Sequence, residues 1–281
     1  MRTVNPKQNM RLGPFDRRIL NQVYAVAGGV GLVVTIVSPF VTPPCWILVV
    51  IVLGLLAFHC GVYRGANQTE EVSFSLCGTE VVIRYADLFA DKSSLKVIAF
   101  NEYFDTLVDD KLISSNTING KFLKQLDGSV SKLDSVLEND PHLQRCISKQ
   151  NSQRPVGKKV QYKLGTAFKY NDYLLVAFSR FDEDNQACLS IEDYVGCLLN
   201  LWREIGMQYN GCSIAIPLMG AGITRIGPQQ FIPYMELLEI MLWTLEKSKV
   251  KLAYGCKIYI DLFDSPDIRQ NVNLFALKKS G

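Results

Sequence analysis

The sequence predicts an α/β fold, a three-layer mixed sheet with helices on both faces, preceded by a two-helix transmembrane hairpin. Two observations lead to this prediction. From about residue 70 onwards, short apolar strands alternate with segments of helical periodicity, which is typical of a central sheet covered on both faces. Before that point, no Asp, Glu, Lys or Arg occurs from Ile19 to Tyr63, and this run is long enough for two membrane spans.

The charge-free stretch divides into two candidate spans, residues 20–41 and 45–63, which are joined by the connection "SPFVTPPC". Pro39, Pro43 and Pro44 in this connection are expected to end one helix and start the next. A signal peptide has a shorter apolar core, and a buried hairpin of a soluble protein would carry more polar residues. Two spanning helices are therefore the favoured interpretation.

Basic residues flank the two spans and are missing from the connection between them. Those outside the spans are Arg2, Lys7, Arg11, Arg17, Arg18 and Arg64. The positive-inside rule then predicts a multi-pass protein with both termini in the cytoplasm. In this scheme residues 1–18 are a basic cytoplasmic segment, residues 65–71 are a linker, and residues 72–281 form the cytosolic domain.

The composition argues against several classes of function. The net charge of +3 and the pI near 8.3 are too mild for a nucleic-acid partner. Eight cysteines without a C-x-x-C pair, together with two histidines, offer little for a metal site or a Cys/His nucleophile. We expect no metal, and we expect reduced, mostly buried thiols.

Each element of the cytosolic domain has its own signal. Alternating residues on either side of Gly78 predict a β-hairpin, and apolar residues at helical spacing predict one helix over residues 119–137. Ser190 with Asp193 resembles a capping box at the start of a further helix. The remaining predicted elements are the strand at 95–100, the strands at 158–168 and 173–178 around a turn at Asn171–Asp172, the strand at 212–216, a helix near 229–247, the strand at 256–263, and a last helix that begins at Ser265–Pro266.

Three of the predicted strands end in residues that can contact a ligand. Asp87 follows the segment "EVVIRY", Asn101 ends "VIAFN", and the loop "PLMGAGITRIG" follows "SIAI". In open α/β sheets, ligands bind at the carboxyl ends of the strands. The glycines Gly220 and Gly222 would let backbone N–H groups approach phosphate oxygens closely, although a glycine-rich turn alone is also compatible with a purely structural role.

Together, these three segments resemble the macro domain, the ADP-ribose-binding module. "ADLF" stands where macro domains have Gly-Asp-Ile/Leu, and the glycine loop matches the order of their phosphate loop. The resemblance covers most of residues 72–264. It implies that Asp87 accepts a hydrogen bond from the adenine amino group, that the backbone of Leu88 lies nearby, and that Asn101 lies near the distal ribose. Alternatively, Asp87 caps a turn and Asn101 satisfies local backbone groups.

The resemblance also implies contacts further along the chain. Phe263 at the end of the last strand would stack near the adenine, although a core position is the simpler interpretation. The diphosphate would be wrapped by the backbone of the glycine loop. The residues of this loop are Leu218, Met219, Gly220, Ala221, Gly222, Ile223, Thr224 and Arg225.

The sequence departs from the macro-domain pattern at two points. Ala86 replaces the usual glycine before Asp87, and the family's second glycine-rich loop is here "SSNTINGKF", with Gly120 as its single glycine. Members that hydrolyse ADP-ribosyl bonds position water at that loop, so we expect a binder without catalytic residues or cofactor. Asn119 and Gly120 are expected to contact the ligand there. Asn116 and Lys121 are further candidates.

A macro domain behind two membrane spans resembles the effector of bacterial Thoeris anti-phage systems. This resemblance implies a location in the bacterial inner membrane and a TIR-domain partner protein that makes an ADP-ribose-derived signal, such as a histidine adduct. Signal binding would drive homo-oligomerisation and membrane disruption. Two alternatives stay open: a membrane-tethered ADP-ribosyl hydrolase, and a macro-like tether that has lost its ligand.

Overall fold

The computed structural model describes residues 11–41, 44–92, 94–182, 186–222, 225–226 and 232–277, and it divides into two compact units. The first unit, called here the membrane-proximal unit after its two candidate membrane spans, comprises the chain up to Val72 together with the segment from Ser265. The α/β unit comprises Ser73–Asp264. The cytosolic domain had been expected to extend to residue 281, whereas the segment from Ser265 groups with the N-terminal helices.

Helices and strands alternate through the α/β unit, as the sequence predicts. The described helices are α1 (Arg17–Val37), α2 (Cys45–Asn67), α3 (Ile118–Gln125), α4 (Val130–Asn139), α5 (Pro141–Arg145), α6 (Ile191–Gln208), α7 (Tyr234–Ser248), α8 (Pro266–Asn271) and the 3-10 helix η1 (Leu274–Leu277). The described strands are β1 (Glu71–Leu76), β2 (Thr79–Tyr85), β3 (Leu95–Asn101), β4 (Ile147–Gln150), β5 (Val160–Tyr162), β6 (Ala167–Tyr170), β7 (Tyr173–Phe181), β8 (Ala187–Leu189), β9 (Ile214–Pro217), β10 (Arg225–Ile226) and β11 (Lys257–Leu262).

The helices α1 and α2 are long and apolar enough to cross a membrane, judged by length and composition. Helix α1 ends at Val37 rather than at residue 41, because the chain turns at Ser38–Phe40. Helix α2 begins at Cys45 behind the N-cap Pro44 and continues to Asn67, so the predicted linker begins as helix. Pro43 lies outside the described residues.

Across the described residues, nine strands form one mixed sheet in the order β1-β2-β11-β9-β3-β7-β8-β10, with β6 paired to β7. The central pairs β2–β11, β11–β9, β9–β3 and β3–β7 are parallel. The pairs β6–β7 and β7–β8 are antiparallel. The mixed sheet is therefore confirmed. The segment at 158–168 contributes β6 to this sheet, whereas β5 pairs with β4 in a separate two-stranded sheet.

Helices cover both faces of the sheet. On one face, Phe122 of α3 packs edge-on against Phe100 of β3, with ring centroids 6.1 Å apart, inside a core that includes side chains from α4 and α5. On the other face, α6 and α7 pack together, and Trp202 Nε1 donates a 3.0 Å hydrogen bond to Thr244 Oγ1. The three-layer prediction is confirmed.

The structure has two helices where the sequence predicts a single helix over residues 119–137. The prediction of one long helix was therefore wrong. Helix α3 ends at Gln125, and α4 begins at Val130. Asp127 and Gly128 between them have φ angles of 36° and 79°, which an α-helix does not contain. An Asp-Gly pair tolerates this left-handed conformation because of the small glycine and the short polar aspartate.

Local turn and cap signals were more reliable. The turn at Asn171 has φ 52° and joins β6 to β7 in the predicted hairpin. The Ser190 hydroxyl accepts the Asp193 N–H at the start of α6, and Ser265 caps α8. Helix α7 begins at Tyr234, later than the predicted start, and residues 227–231 lie outside the described part of the chain.

All eight cysteine thiols are free, but only Cys197 is buried. The expectation of mostly buried thiols was therefore wrong.

The Asp127–Gly128 break yields a testable prediction. Gly128→Ala should lower the free energy of unfolding by about 1–2 kcal/mol, because alanine is strained at positive φ, while its Cβ would meet nothing within 4 Å. Gly196→Ala within α6 is the matched control, since its Cβ is equally free and helical alanine is favoured by about 0.5–1 kcal/mol. Urea unfolding of the full chain in detergent measures both. Equal effects of the two variants would contradict the left-handed assignment.

Candidate functional site

Four parallel strands place the predicted ligand segments along one edge of the sheet. The strands β2, β11, β9 and β3 are neighbours in this order, so their carboxyl ends lie side by side. The residues that end or follow them are Asp87 after β2, Phe263 after β11, Leu218 after β9, and Asn101 in β3. The segments that are far apart in sequence thus meet at a single edge, called here the carboxyl edge.

Asp87 stands exposed at the start of the loop that follows β2. One carboxylate oxygen accepts the Phe89 N–H at 3.0 Å, which forms a local turn, and the Ala86 N–H bonds to the Leu262 carbonyl at 3.0 Å. Leu88 is buried, 5% exposed, in the core beneath. The turn-capping interpretation of Asp87 is therefore correct for one oxygen, while the exposed carboxylate stays available to a ligand.

A partly buried ion network supports this loop, and sequence reasoning missed it. Arg84 Nε lies 2.7 Å from Asp261 Oδ1, and Arg84 Nη2 lies 3.0 Å from Asp91 Oδ2. Asp91 in turn accepts the N–H and the hydroxyl of Ser94. Burial raises the pKa of Asp261 above its ordinary value, although Arg84 opposes that shift. The register that pairs Asp261 with Arg84 across β11 and β2 creates this contact.

The glycine loop after β9 begins as a turn. The Ala221 N–H bonds to the Leu218 carbonyl at 3.2 Å, and Gly220 has φ 86°, which glycine adopts without strain. Gly222 is exposed, and a Cβ at this position would meet nothing within 4 Å. Gly220 is thus required by the backbone conformation, whereas Gly222 leaves open space at the carboxyl edge.

Two buried side chains hold the glycine loop in place through Met219. The Tyr194 hydroxyl of α6 donates a 2.8 Å hydrogen bond to the Met219 carbonyl, and the Met219 N–H points at Met241 Sδ, 3.4 Å away. Burial raises the pKa of Tyr194 well above its ordinary value, so the phenol stays a donor. Sequence reasoning missed this contact, although a buried tyrosine hydroxyl usually needs a partner.

The loop N–H groups are therefore not all free for a ligand, contrary to the sequence expectation. Those of Met219 and Ala221 are used inside the protein. Ile223 and Thr224 lie outside the described residues, and Arg225 is described by its backbone in β10. The case for phosphate binding consequently depends on Gly220 and Gly222.

Asn101 is 4% exposed, and its amide is committed to the loop that follows β3. Its Nδ2 donates to Asp105 Oδ2 at 2.8 Å, and its Oδ1 accepts the backbone N–H groups of Tyr103 and Asp105. Asp105 also pairs with Arg154 at 2.8 Å, and both side chains are buried. The structural interpretation of Asn101 is thus realised here, and its contact with a distal ribose stays a prediction.

The first turn of α3 supplies a less committed polar group. Asn119 is 9% exposed, and its Oδ1 is buried without a hydrogen-bond partner among the described residues. A Cβ on Gly120 would clash with the Ser114 carbonyl oxygen, so the glycine is needed for the loop to pack on the helix. An unpaired buried carbonyl is costly, which makes Asn119 a good candidate for a ligand contact.

Phe263 is exposed rather than buried in the core, with 57% of its surface accessible. The Lys121 ammonium of α3 lies 5.4 Å from the centre of its ring. This contact brings α3 to the end of β11, so the segment "SSNTINGKF" and the residue that follows β11 are close together. The core interpretation of Phe263 was wrong, and its open ring face is suited to stacking.

The sequence of the α/β unit assigns it to the macro domains. The family profile "Thoeris protein ThsA, Macro domain" matches residues 81–261. The Thoeris protein ThsA of Bacillus amyloliquefaciens (strain Y2) is 40% identical over 214 residues, which is 75% of this chain and 70% of the relative. The chain belongs to the ThsA macro-domain family.

Solved macrodomains give weaker similarities. The Oceanobacillus iheyensis macrodomain with ADP aligns at a TM-score of 0.45 and 13% identity, over 70% of this chain and 90% of that chain. The Thermus aquaticus DarG macrodomain aligns at a TM-score of 0.39 and 13% identity, over 65% of this chain and 97% of that chain. The family assignment rests on the sequence matches.

Removing the Tyr194 hydroxyl should loosen the glycine loop. Tyr194→Phe leaves the buried Met219 carbonyl unpaired, which costs about 1–3 kcal/mol. We expect lower stability together with faster amide hydrogen exchange in residues 218–222. Tyr209→Phe is the control, because that hydroxyl accepts an N–H from Ala253 outside the carboxyl edge. Unchanged exchange in the loop of Tyr194→Phe would show that the hydroxyl does not position it.

The buried Asp105–Arg154 pair should dominate the stability of the loop after β3. Arg154→Met would leave the Asp105 carboxylate buried without its cation, at a cost of about 3–5 kcal/mol. Arg269→Met is the control, since its pair with Glu70 is exposed and such pairs contribute about 1 kcal/mol or less. Denaturant unfolding compares them, and a loss for Arg154→Met no larger than for the control would refute this assignment.

Proposed function

We propose that the chain is a membrane-anchored effector of bacterial anti-phage defence whose macro domain binds an ADP-ribose-derived signal. One observation carries the proposal most directly. The carboxyl edge brings an exposed aspartate, an open glycine loop and an exposed aromatic ring together, in a chain of the ThsA macro-domain family. The relative's name places that protein in Thoeris, which supports the defence role.

The ligand is proposed to lie along the strand order of the carboxyl edge. The adenine would sit between the Asp87 carboxylate and the Phe263 ring, which follow the adjacent strands β2 and β11. The diphosphate would approach Gly222, where an added Cβ would meet nothing within 4 Å. The distal ribose and its substituent would then reach the first turn of α3, where Asn119 Oδ1, which has no partner in the described part of the chain, can accept a hydrogen bond.

The end of the carboxyl edge beside α3 is proposed to determine the specificity for one ADP-ribose derivative over another. Lys121 beside Phe263 adds a cation at this end. A derivative whose distal ribose bears a hydrogen-bond donor and a carboxylate would satisfy both Asn119 and Lys121. A histidine adduct of ADP-ribose, made by a TIR-domain partner, has this chemistry. Binding without hydrolysis fits the replacement of the family's glycine-rich second loop by a segment with the single, structurally required Gly120.

The hairpin is proposed as the output element. Its helices, of 21 and 23 residues, would reach across a hydrocarbon core of about 30 Å. A ligand shifts an equilibrium only by its differential affinity for two states, so the signal would have to favour a homo-oligomer. Many copies of the hairpin would then disrupt the inner membrane, with both termini of each chain in the cytoplasm.

Gly222→Glu tests the binding proposal. The substitution places a carboxylate where the diphosphate is proposed to lie, while the open space around Gly222 lets the fold accept it. Calorimetry of the full chain in detergent with ADP-ribose and with a histidine-modified ADP-ribose should give tighter binding of the modified form, and a loss of at least a hundred-fold, about 2.7 kcal/mol, in the variant.

Gly196→Glu provides the control, because this glycine is equally open but lies on α6. Its ligand affinity should equal that of the unsubstituted chain. Hydrolysis of either ligand would favour the ADP-ribosyl hydrolase instead. Absence of binding to both ligands by the unsubstituted chain would leave the ligand-free tether as the function.

A further inference from the structure

We propose that the membrane-proximal unit carries a preorganised surface for anionic phospholipid headgroups, formed by Arg11, Arg17, Arg18 and Arg64 and called here the arginine face. The inference rests on the proposed membrane location and extends it. It identifies a lipid partner for the cytoplasmic end of the hairpin, separate from the carboxyl edge of the α/β unit.

The arginine face lies at one end of the hairpin. Arg17 and Arg18 begin α1, and Arg64 lies in the last turn of α2. The helices pack against each other and run in opposite directions around a short connection, which brings the start of α1 beside the end of α2. The Phe15 ring, just before α1, lies 6.3 Å from the ring of His59 in α2.

Asn67 fixes the segment before α1 onto the end of α2. The Leu12 N–H donates to Asn67 Oδ1 at 3.0 Å, and Asn67 Nδ2 donates to the Leu12 carbonyl at 3.2 Å. Asn273 Nδ2 bonds to the same Asn67 Oδ1 at 3.3 Å. Leu12 is 6% exposed and packs in a small core with Ile19, Ala66 and Phe275. The backbone beside Arg11 is therefore ordered before any lipid binds, which lowers the entropy lost on binding.

The positive charge of this surface is available. Within the described residues, none of the four arginines of the face forms an ion pair, and all four are exposed. In the same unit, Arg269 is already paired with Glu70 through two 2.8 Å hydrogen bonds. Asp16 acts as the N-cap of α1 through the Arg18 N–H. The face therefore keeps an excess of positive charge.

An exposed aromatic residue favours a lipid surface over a soluble anion. Phe15 is 80% exposed and lies in sequence between Arg11 and Arg17. An aromatic ring next to guanidinium groups suits the boundary between headgroups and acyl chains, where both can be satisfied. A site for free phosphate gains nothing from an exposed ring, so the chemistry favours an anionic phospholipid.

Lipid preference of the full chain tests the proposal. Native mass spectrometry in detergent, with phosphatidylglycerol and phosphatidylcholine added together, should show preferential retention of phosphatidylglycerol. Near an anionic surface each arginine contributes about five-fold. The triple variant Arg17→Gln, Arg18→Gln and Arg64→Gln should therefore lose the preference by more than about ten-fold. Arg203→Gln in the α/β unit, an exposed arginine bonded to Asn200, should keep it.

Each other outcome overturns part of the account. An equal lipid preference of the triple variant and the unsubstituted chain would refute the arginine face. Displacement of phosphatidylglycerol by inorganic phosphate at constant ionic strength would assign the arginines to a soluble anion. Flotation of the triple variant with neutral phosphatidylcholine vesicles should match that of the unsubstituted chain. If neither chain floats, the membrane location fails and the lipid surface with it, whereas ADP-ribose binding is unaffected.

Discussion

The parallel alignment of β2, β11, β9 and β3 is the constraint on which the candidate site depends. Side chains or loops at the ends of parallel strands must project from the same edge, so the order of these strands decides which segments meet. The register of β11 places Tyr85 opposite Leu262 on one side, and Pro217 opposite Asp261 on the other. This strand order makes Asp87, Phe263 and the glycine loop neighbours.

Polar contacts inside the protein hold the loops of the carboxyl edge in position. Tyr194 holds the glycine loop from α6, Arg84 holds the loop after β2 through Asp91, and the Asp105–Arg154 pair holds the loop after β3. The Tyr194 hydroxyl and the Asp105–Arg154 pair are buried and therefore well shielded from water, whereas Arg84 is partly exposed. The groups left at the surface are then positioned before a ligand arrives, which reduces the cost of binding.

The sequence predicted the layers, the two hairpins and the segments of the carboxyl edge, because periodicity and turn residues are local signals. It failed where local signals compete or where contacts are distant. The spacing of the apolar residues predicted one continuous helix, whereas the Asp127–Gly128 turn separates α3 from α4. The partners of Asn101, Tyr194 and Arg154 are set by the register and by loops that pack across the fold. The exposure of Phe263 likewise depends on what covers the end of β11, which the pattern of one strand does not reveal.

A crystal structure of the chain with ADP-ribose bound tests the central claim most directly. The account predicts that the diphosphate lies within hydrogen-bond distance of the Gly220 and Gly222 amides, with the adenine between Asp87 and Phe263 and the distal ribose near Asn119. Conversely, ADP-ribose found away from the ends of β2, β11, β9 and β3 would contradict it, and the carboxyl edge would then be a structural arrangement without a ligand role.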